Sequence, residues 1–218
     1  MKFAAVLFDL DGTLLDTLED IADSANAVLA PLGLPTHPLA AYKQFVGEGV
    51  RRLFERALPQ DQRDAAIIAL CAENFNDEYG RRWNANSRPY DGILPLLVQL
   101  TAKRVPLAIL SNKPQAFTEQ CVNHFFPSGT FTIVLGQRAG IPPKPDPAGA
   151  IEIARGLSLP PGTIAYLGDS NIDMQTAVRA GMHPIGAAWG FRSREELLAH
   201  GAAVVIDRPD QFVRVVGE

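Results

Sequence analysis

Short apolar segments of the β type alternate with helical segments along much of the chain, and this alternation limits the possible fold more than any other feature. The predicted strands are Val105–Leu110, Phe131–Leu135, Thr163–Leu167, Pro184–Ala188 and Ala203–Ile206. The predicted helices are about Pro114–Phe125, Pro147–Gly156, Ile172–Ala180 and Ser193–Ala199. With the apolar run Ala4–Phe8 as a further strand, the pattern predicts an α/β, Rossmann-like core, in which helices cover both faces of a parallel sheet.

The segment 16–86 interrupts this alternation directly after the first strand, because it shows no convincing strand pattern. Asp16 or Thr17 can cap its first helix, and Gly33 is a natural stop for that helix. Further helices are expected at about 38–46, 49–58 and 61–80. The sequence therefore predicts an all-helical cap domain, 16–86, inserted into a catalytic core made of 1–15 and 87–218.

The first predicted strand ends in two carboxylates and a glycine, in the order Asp9-Leu10-Asp11-Gly12. Burying an unpaired charge is costly, so these carboxylates need a cation, hydrogen bonds or solvent. The pattern therefore predicts a metal at this position and a nucleophilic role for one of the two carboxylates.

Three further groups of polar residues follow, or lie close to, predicted strand ends. They are Ser111-Asn112, Lys144 in a proline-rich segment, and the pair Asp169 and Asp173. In a parallel sheet the carboxyl ends of the strands meet at one edge, which is where α/β proteins bind their ligands. We therefore expect all of these side chains to converge on one site.

Such a set suits phosphoryl transfer, which depends on positioning and charge neutralisation. Mg²⁺ prefers oxygen ligands, so Asp9, Asp169 and a backbone carbonyl near Asp11 are the predicted ligands. A free oxygen of Asp9 can attack phosphorus and form an aspartyl-phosphate. Asp11 is placed to protonate the leaving alcohol and later to activate water.

The phosphoryl oxygens need binding groups of their own. Ser111, Asn112 and the backbone at Gly12 are predicted to bind them, while the charge of Lys144 offsets Asp9 and the phosphate. A plainer interpretation of Ser111-Asn112 also stands, because these residues can cap the helix that follows them.

Four segments together resemble the motifs of the haloacid dehalogenase-like hydrolase superfamily. They are Asp9-Leu10-Asp11-Gly12-Thr13, Ser111-Asn112, Lys144 and Gly168–Asp173, in the family's order. The position of the helical insert also resembles the family's cap. Within the superfamily the chain is most similar to phosphoglycolate phosphatases, through Phe8–Asp20, Val46–Val50, Leu110–Lys113, Lys144–Ala154, Gly168–Met182 and Gly201–Asp207. One departure is Asp91, where relatives often carry proline.

The resemblance implies a magnesium-dependent phosphatase acting on a small phosphorylated metabolite, with 2-phosphoglycolate as the leading substrate. Asp9 would be the nucleophile and Asp11 the acid and base. Asp9, the carbonyl of Asp11 and Asp169 would be the metal ligands. Asp173 would orient Lys144 or a metal-bound water.

The predicted cap contains the loop Gly47-Glu48-Gly49, whose glycines would let the backbone approach a substrate. Arg51, just after this loop, and Lys43 are the predicted contacts for a substrate carboxylate. The alternative, a turn between helices followed by solvated basic residues, remains open.

Three other functions are compatible with parts of this pattern. A phosphotransferase of the β-phosphoglucomutase type would use the same Asp9 but pass the phosphoryl group to a sugar. A pyrophosphatase would use the same core. A phosphorylatable switch module also carries acids and a lysine on a parallel sheet, but such modules are shorter and lack the helical insert. A dehalogenase would leave Asp11 with little purpose.

The net charge and the composition limit the kinds of binding partner that the protein can have. The net charge is −4 and no run of basic residues exceeds two, so neither nucleic acid nor an anionic membrane is expected. The apolar run before Asp9 is too short for a signal peptide or a membrane span, and Cys71 and Cys121 are expected to be free thiols. These features predict a cytoplasmic protein, either a monomer or a homodimer.

Overall fold

The computed structural model describes residues 2–217 and divides the chain into two compact units. The first unit contains the chain up to Leu15 and from Pro89 onward, and the second is Asp16–Arg88. The division expected from the sequence, 16–86, differs from these bounds by two residues at its end.

Eight strands occur among the described residues. They are β1 (Ala5–Phe8), β2 (Leu15–Asp16), β3 (Arg88–Pro89), β4 (Leu107–Pro114), β5 (Ile133–Gln137), β6 (Ile164–Gly168), β7 (His183–Ala187) and β8 (Val204–Ile206). Six of them form one sheet in the order β5-β4-β1-β6-β7-β8, while β2 and β3 pair with each other. Every neighbouring pair in the six-stranded sheet is parallel, which confirms the predicted α/β fold.

The helices of the first unit are α5 (Ile93–Ala102), α6 (Gln115–Phe125), α7 (Ala148–Gly156), α8 (Asn171–Ala180), α9 (Arg194–Ala199) and α10 (Phe212–Gly217). Those of the second unit are α1 (Leu18–Leu29), α2 (Leu39–Phe45), α3 (Val50–Ala57) and α4 (Ala65–Arg82). No helix of residues 2–217 is both long enough and apolar enough to cross a membrane.

Strand β1 lies in the interior of the sheet, between β4 and β6. All four of its side chains are fully buried, because helices cover a parallel sheet on both faces. This explains why Ala4–Phe8 reads as a continuous apolar run rather than an alternating one. The strand delivers Asp9 to the carboxyl edge of the sheet.

Strand β4 is longer than the sequence predicted, since it continues past Leu110 to Pro114. Its last residue pairs with Gln137 of β5 after an irregularity in the register. The polar residues Ser111, Asn112 and Lys113 are poor strand formers, and pairing with β5 overrides that preference. Ser111-Asn112 therefore belongs to the strand and does not cap a helix, since Pro114 precedes α6.

The second unit is all-helical from Thr17 to Ser87, a stretch that lies wholly within the described residues. Its buried aromatic residues include Phe54, Phe75 and Tyr79, and the rings of Phe75 and Tyr79 stack at 5.4 Å. A short 3₁₀ turn follows α1 and ends at Gly33, whose φ of 67° is left-handed, as the predicted stop requires.

Both cysteines, Cys71 and Cys121, are buried free thiols, as predicted. Burial raises the pKa of the Cys71 thiol, which makes it a poor nucleophile.

Candidate active site

Four acidic and basic side chains meet at the carboxyl edge of the sheet in the first unit. Asp9 follows β1, Asp169 follows β6, Asp173 lies in the first turn of α8, and Lys144 comes from the loop between β5 and α7. All four are buried. The sequence predicted this convergence from the parallel order of the strands.

Lys144 connects two of the acids. Its Nζ donates to Asp9 Oδ1 at 2.8 Å and to Asp173 Oδ1 at 2.7 Å, and only 3% of its side chain is exposed. Burial alone would lower the pKa of Lys144, but the charges of Asp173 and Asp9 outweigh it and raise the pKa well above the ordinary value. Lys144 therefore stays a cation.

Asn112 fixes the backbone at Lys144. Its side-chain oxygen accepts from the Lys144 N–H at 2.8 Å, and its side-chain nitrogen donates to the Lys144 carbonyl at 3.0 Å. The sequence suggested Asn112 as a ligand of the phosphoryl oxygens. The structure shows that both ends of the amide also bind the backbone of Lys144, so this side chain positions the lysine, and its contact with a phosphoryl group stays a prediction.

Asp173 has several partners besides Lys144. Its Oδ2 accepts from the Ser170 N–H at 3.1 Å and from the Ser170 hydroxyl at 2.6 Å. The first of these bonds, with the bond that the Asp173 N–H donates to the Ser170 hydroxyl oxygen at 3.3 Å, forms a capping box at the start of α8. Its Oδ1 also accepts from the Tyr166 hydroxyl at 3.2 Å. These hydrogen bonds fix the Asp173 carboxylate next to the Lys144 ammonium group, and the orienting role implied by the resemblance stays a prediction.

Both carboxylate oxygens of Asp169 accept hydrogen bonds. The Thr13 hydroxyl donates to Oδ1 at 3.0 Å, and the Phe191 N–H donates to Oδ2 at 2.7 Å. Burial, followed by the charge of Asp173, raises the pKa of Asp169 to about 7. Burial is also the main cause that raises the pKa of Asp9 well above its ordinary value, with Asp173 second.

This acidic cluster suits a divalent cation. Carboxylate oxygens of Asp9, Asp169 and Asp173 all lie within 4.8 Å of one another. Burial, followed by the charge of Asp173, raises the pKa values of Asp9 and Asp169, which shows the cost of placing these acids together away from solvent. Because Asp173 is already engaged by three protein partners, Asp9 and Asp169 are the side chains best suited to bind the ion. An all-oxygen donor set fits a hard cation such as Mg²⁺ or Mn²⁺.

Lys113 is a site residue to which the sequence interpretation gave no role. Its Nζ donates to Asp11 Oδ1 at 2.7 Å and to Oδ2 at 2.8 Å, and its backbone N–H donates to the Ser111 hydroxyl oxygen at 3.2 Å. The signal that could have revealed it is a lysine directly after Ser111-Asn112, but only the extension of β4 brings it to Asp11.

The sequence interpretation also gave no role to Trp189 and Gly190, and it included Thr13 in the first motif without a role of its own. The Trp189 indole N–H donates to the Thr13 carbonyl at 3.0 Å. At both Gly12 and Gly190, an added Cβ would lie 2.3 Å from an atom of Asp169. Nothing in the sequence alone relates these residues to Asp169, since they are far from it along the chain.

The predicted substrate contacts Lys43 and Arg51 both lie in the second unit. Lys43 is in the last turn of α2, and Arg51 is exposed in the first turn of α3. The next two arginines of α3 form ion pairs, Arg52 with Glu55 and Arg56 with Glu48. Arg56 also donates to the carbonyls of Gln44 and Phe45, which ties the end of α2 to α3.

The loop before α3 has the backbone conformation that its glycines suggested. Gly47 has a φ of 119° and Gly49 a φ of 87°, a region that favours glycine. Glu48, between them, pairs with Arg56 and so holds the loop against its own helix.

Comparison with known proteins gives consistent matches. Residues 6–187 match the family model described as haloacid dehalogenase-like hydrolase. A protein named phosphoglycolate phosphatase from Psychrobacter arcticus is 30% identical over 88% of this chain and 86% of its own length. One with the same name from Mesorhizobium japonicum is 30% identical over the full length of both chains. A crystal structure from Lactobacillus delbrueckii subsp. bulgaricus, provisionally named a phosphoglycolate phosphatase, has a TM-score of 0.94, 32% identity and complete coverage of both chains.

Proposed function

The chain belongs to the haloacid dehalogenase-like hydrolase family, and on that premise we propose that it is a magnesium-dependent phosphatase whose substrate is 2-phosphoglycolate. The observation that carries the proposal is the geometry of Asp9. One of its oxygens is held by Lys144, and among residues 2–217 no hydrogen bond to the other oxygen occurs. A carboxylate fixed by one oxygen and open at the other suits a nucleophile.

In the first step, an oxygen of Asp9 forms a bond to phosphorus as the bond from phosphorus to the glycolate oxygen breaks. Asp11 supplies the proton that the departing alkoxide takes up. In the second step a water molecule attacks the aspartyl-phosphate, Asp11 accepts the proton, and inorganic phosphate leaves with Asp9 restored.

The remaining polar groups bind the phosphoryl oxygens or neutralise the negative charge of the site. Ser111, Asn112 and the backbone at Gly12 are the proposed ligands of the phosphoryl oxygens. Lys144 favours the ionised form of Asp9, against the effect of burial, and orients it, since its ammonium group donates to that carboxylate. Asp9, Asp169 and the main-chain carbonyl of Asp11 would hold Mg²⁺, which when bound offsets the charge of the carboxylates and of the phosphoryl group.

The carboxylate of 2-phosphoglycolate needs a cationic partner, and Arg51 and Lys43 are the proposed ones. Arg51 is exposed, and its neighbours Arg52 and Arg56 are already paired with glutamates. The names of the relatives support hydrolysis of 2-phosphoglycolate over phosphoryl transfer to a sugar or hydrolysis of pyrophosphate.

The test is phosphate release from a panel containing 2-phosphoglycolate, sugar phosphates, nucleotides and pyrophosphate, with Mg²⁺ or with chelator. We expect a strong preference for 2-phosphoglycolate that chelator and Asp9→Asn both abolish. The matched control is Asp61→Asn, at an exposed acid of the second unit, which should leave the rate unchanged. Preference for another metabolite would refute the substrate, and activity that survives Asp9→Asn would refute the mechanism.

A further inference from the structure

We propose that the loop Trp189–Phe191, which follows β7, fixes Asp169 for metal binding and that the Trp189 indole reports when the metal is bound. The inference rests on the proposed function, because it concerns the cation assigned to Asp9 and Asp169. The loop belongs to the same unit as these acids.

A closed set of hydrogen bonds joins the loop to the turn after β1. The Phe191 N–H donates to Asp169 Oδ2 at 2.7 Å, and the Thr13 hydroxyl donates to Oδ1 at 3.0 Å. The Trp189 indole N–H donates to the Thr13 carbonyl at 3.0 Å, so the loop is linked to Asp169 both directly and through Thr13. Thr13 and Asp169 are both buried, so these bonds form away from bulk water. The orientation of the Asp169 carboxylate is therefore set from both sides.

Gly190 allows this close approach. A Cβ at this position would lie 2.3 Å from Asp169 Cβ, 2.4 Å from Asp169 Oδ2 and 2.4 Å from the Gly12 carbonyl oxygen. The last of these atoms belongs to the backbone and has little freedom to move. Any side chain at position 190 must therefore displace Asp169 or the Asp11-Gly12 turn, the two segments that carry proposed metal ligands. Outer-shell changes of this kind typically weaken metal affinity by about 10- to 100-fold.

The indole is well placed to sense the ion. Trp189 is bonded to a residue whose hydroxyl is bonded to Asp169, so a positive charge arriving at the carboxylates changes the electrostatic field at the ring. The chain has two tryptophans, and the other, Trp83, lies in the second unit. In a Trp83→Phe background the tryptophan emission therefore comes from Trp189 alone.

One experiment measures binding of Mn²⁺ to the full chain by electron paramagnetic resonance. A second follows tryptophan fluorescence emission from the Trp83→Phe protein while Mg²⁺ is added. We expect Gly190→Ala to raise the Kd for Mn²⁺ about 10- to 100-fold and Trp189→Phe, which removes one hydrogen bond farther from Asp169, to raise it by a smaller but measurable factor. The matched control is Gly162→Ala, where the nearest atom to an added Cβ is 3.7 Å away, and its Kd should equal the parent's. Emission from Trp189 should shift in step with Mg²⁺ binding.

The outcomes separate this inference from the proposed function. If Asp169→Asn abolishes Mn²⁺ binding while Gly190→Ala and Trp189→Phe bind as the parent does, the loop has no positioning role and only this inference is wrong. If the parent itself shows no saturable Mn²⁺ binding, both fail. Should Gly190→Ala not fold, as judged by circular dichroism, the Kd of Trp189→Phe decides. Constant Trp189 emission at saturating Mg²⁺ would refute the reporter role.

Discussion

The ammonium group of Lys113 donates to both carboxylate oxygens of Asp11, at 2.7 and 2.8 Å. The lysine side chain is 6% exposed and that of the acid 13%, so the pair is shielded from solvent on most sides. The pair ties the acid after β1 to the end of β4. Lys113 thereby restricts the position and orientation of the Asp11 carboxylate.

We predict that Lys113→Met lowers kcat for 2-phosphoglycolate by about 10²-fold with little change in KM. The proton transfers proposed for Asp11 need a carboxylate fixed in position, and such transfers contribute about 10²–10⁴-fold. The loss should be much smaller with p-nitrophenyl phosphate, whose leaving group needs little protonation. Steady-state kinetics on the two substrates measure this. Lys103→Met, at an exposed lysine, is the control. Equal losses on both substrates would contradict a role through Asp11.

We predict that Lys144→Met destabilises the fold in chelator by about 3–5 kcal/mol, since removing one partner of a buried ion pair leaves the other charged and unpaired. Here two carboxylates lose their partner, Asp9 at 2.8 Å and Asp173 at 2.7 Å. Denaturant unfolding measures the change. A second change, Asp173→Asn, should restore part of the lost stability by removing one of the unpaired charges. Single and double variants of equal stability would argue against this explanation.

The positions of the acids and of Lys144 could be predicted from the sequence. Asp9 and Asp169 each follow an apolar run, and in a parallel sheet such runs end at one edge. That inference needs only that the strands are parallel and no knowledge of side-chain contacts. Lys144 lies farther along the chain from a predicted strand end, and its match to a motif of the family supported the same prediction.

Other parts of the site depend on contacts that the sequence does not display. Lys113 reaches Asp11 because pairing with β5 extends β4 beyond Leu110, and no local propensity favours that extension. In the sequence, Gly190 resembles an ordinary glycine of a turn. Only the structure shows that a Cβ added at this position would lie 2.3 Å from Asp169 Cβ. The roles of Lys43 and Arg51 stay predictions, because they depend on a substrate.

We predict that Asp20→Ala destabilises the second unit by about 2–4 kcal/mol. Its buried carboxylate accepts from the backbone N–H groups of Asn86 and Ser87, at 2.9 and 2.8 Å, and from the Ser87 hydroxyl at 2.6 Å. Hydrogen bonds to a charged group contribute about 1.5–3 kcal/mol each, and losing them leaves buried donors without acceptors. Denaturant unfolding measures the effect. Asp23→Ala, at an exposed acid on the same helix, should change stability by less than about 0.5 kcal/mol. Similar losses in both variants would contradict the prediction.

We predict that His183 makes the protein less stable in mild acid. Burial, and then the charge of Lys2, lowers the pKa of His183, whose ring lies 4.9 Å from that of Phe3. The folded state therefore binds its proton less readily than the unfolded state does. The stability that His183 contributes is present above its ordinary pKa of about 6.5 and is lost as the pH falls through the lowered folded value. Unfolding free energies of the parent and of His183→Gln, measured from about pH 8 to pH 5, should converge as the pH falls. Parallel curves for the two proteins would show that His183 does not cause the acid sensitivity.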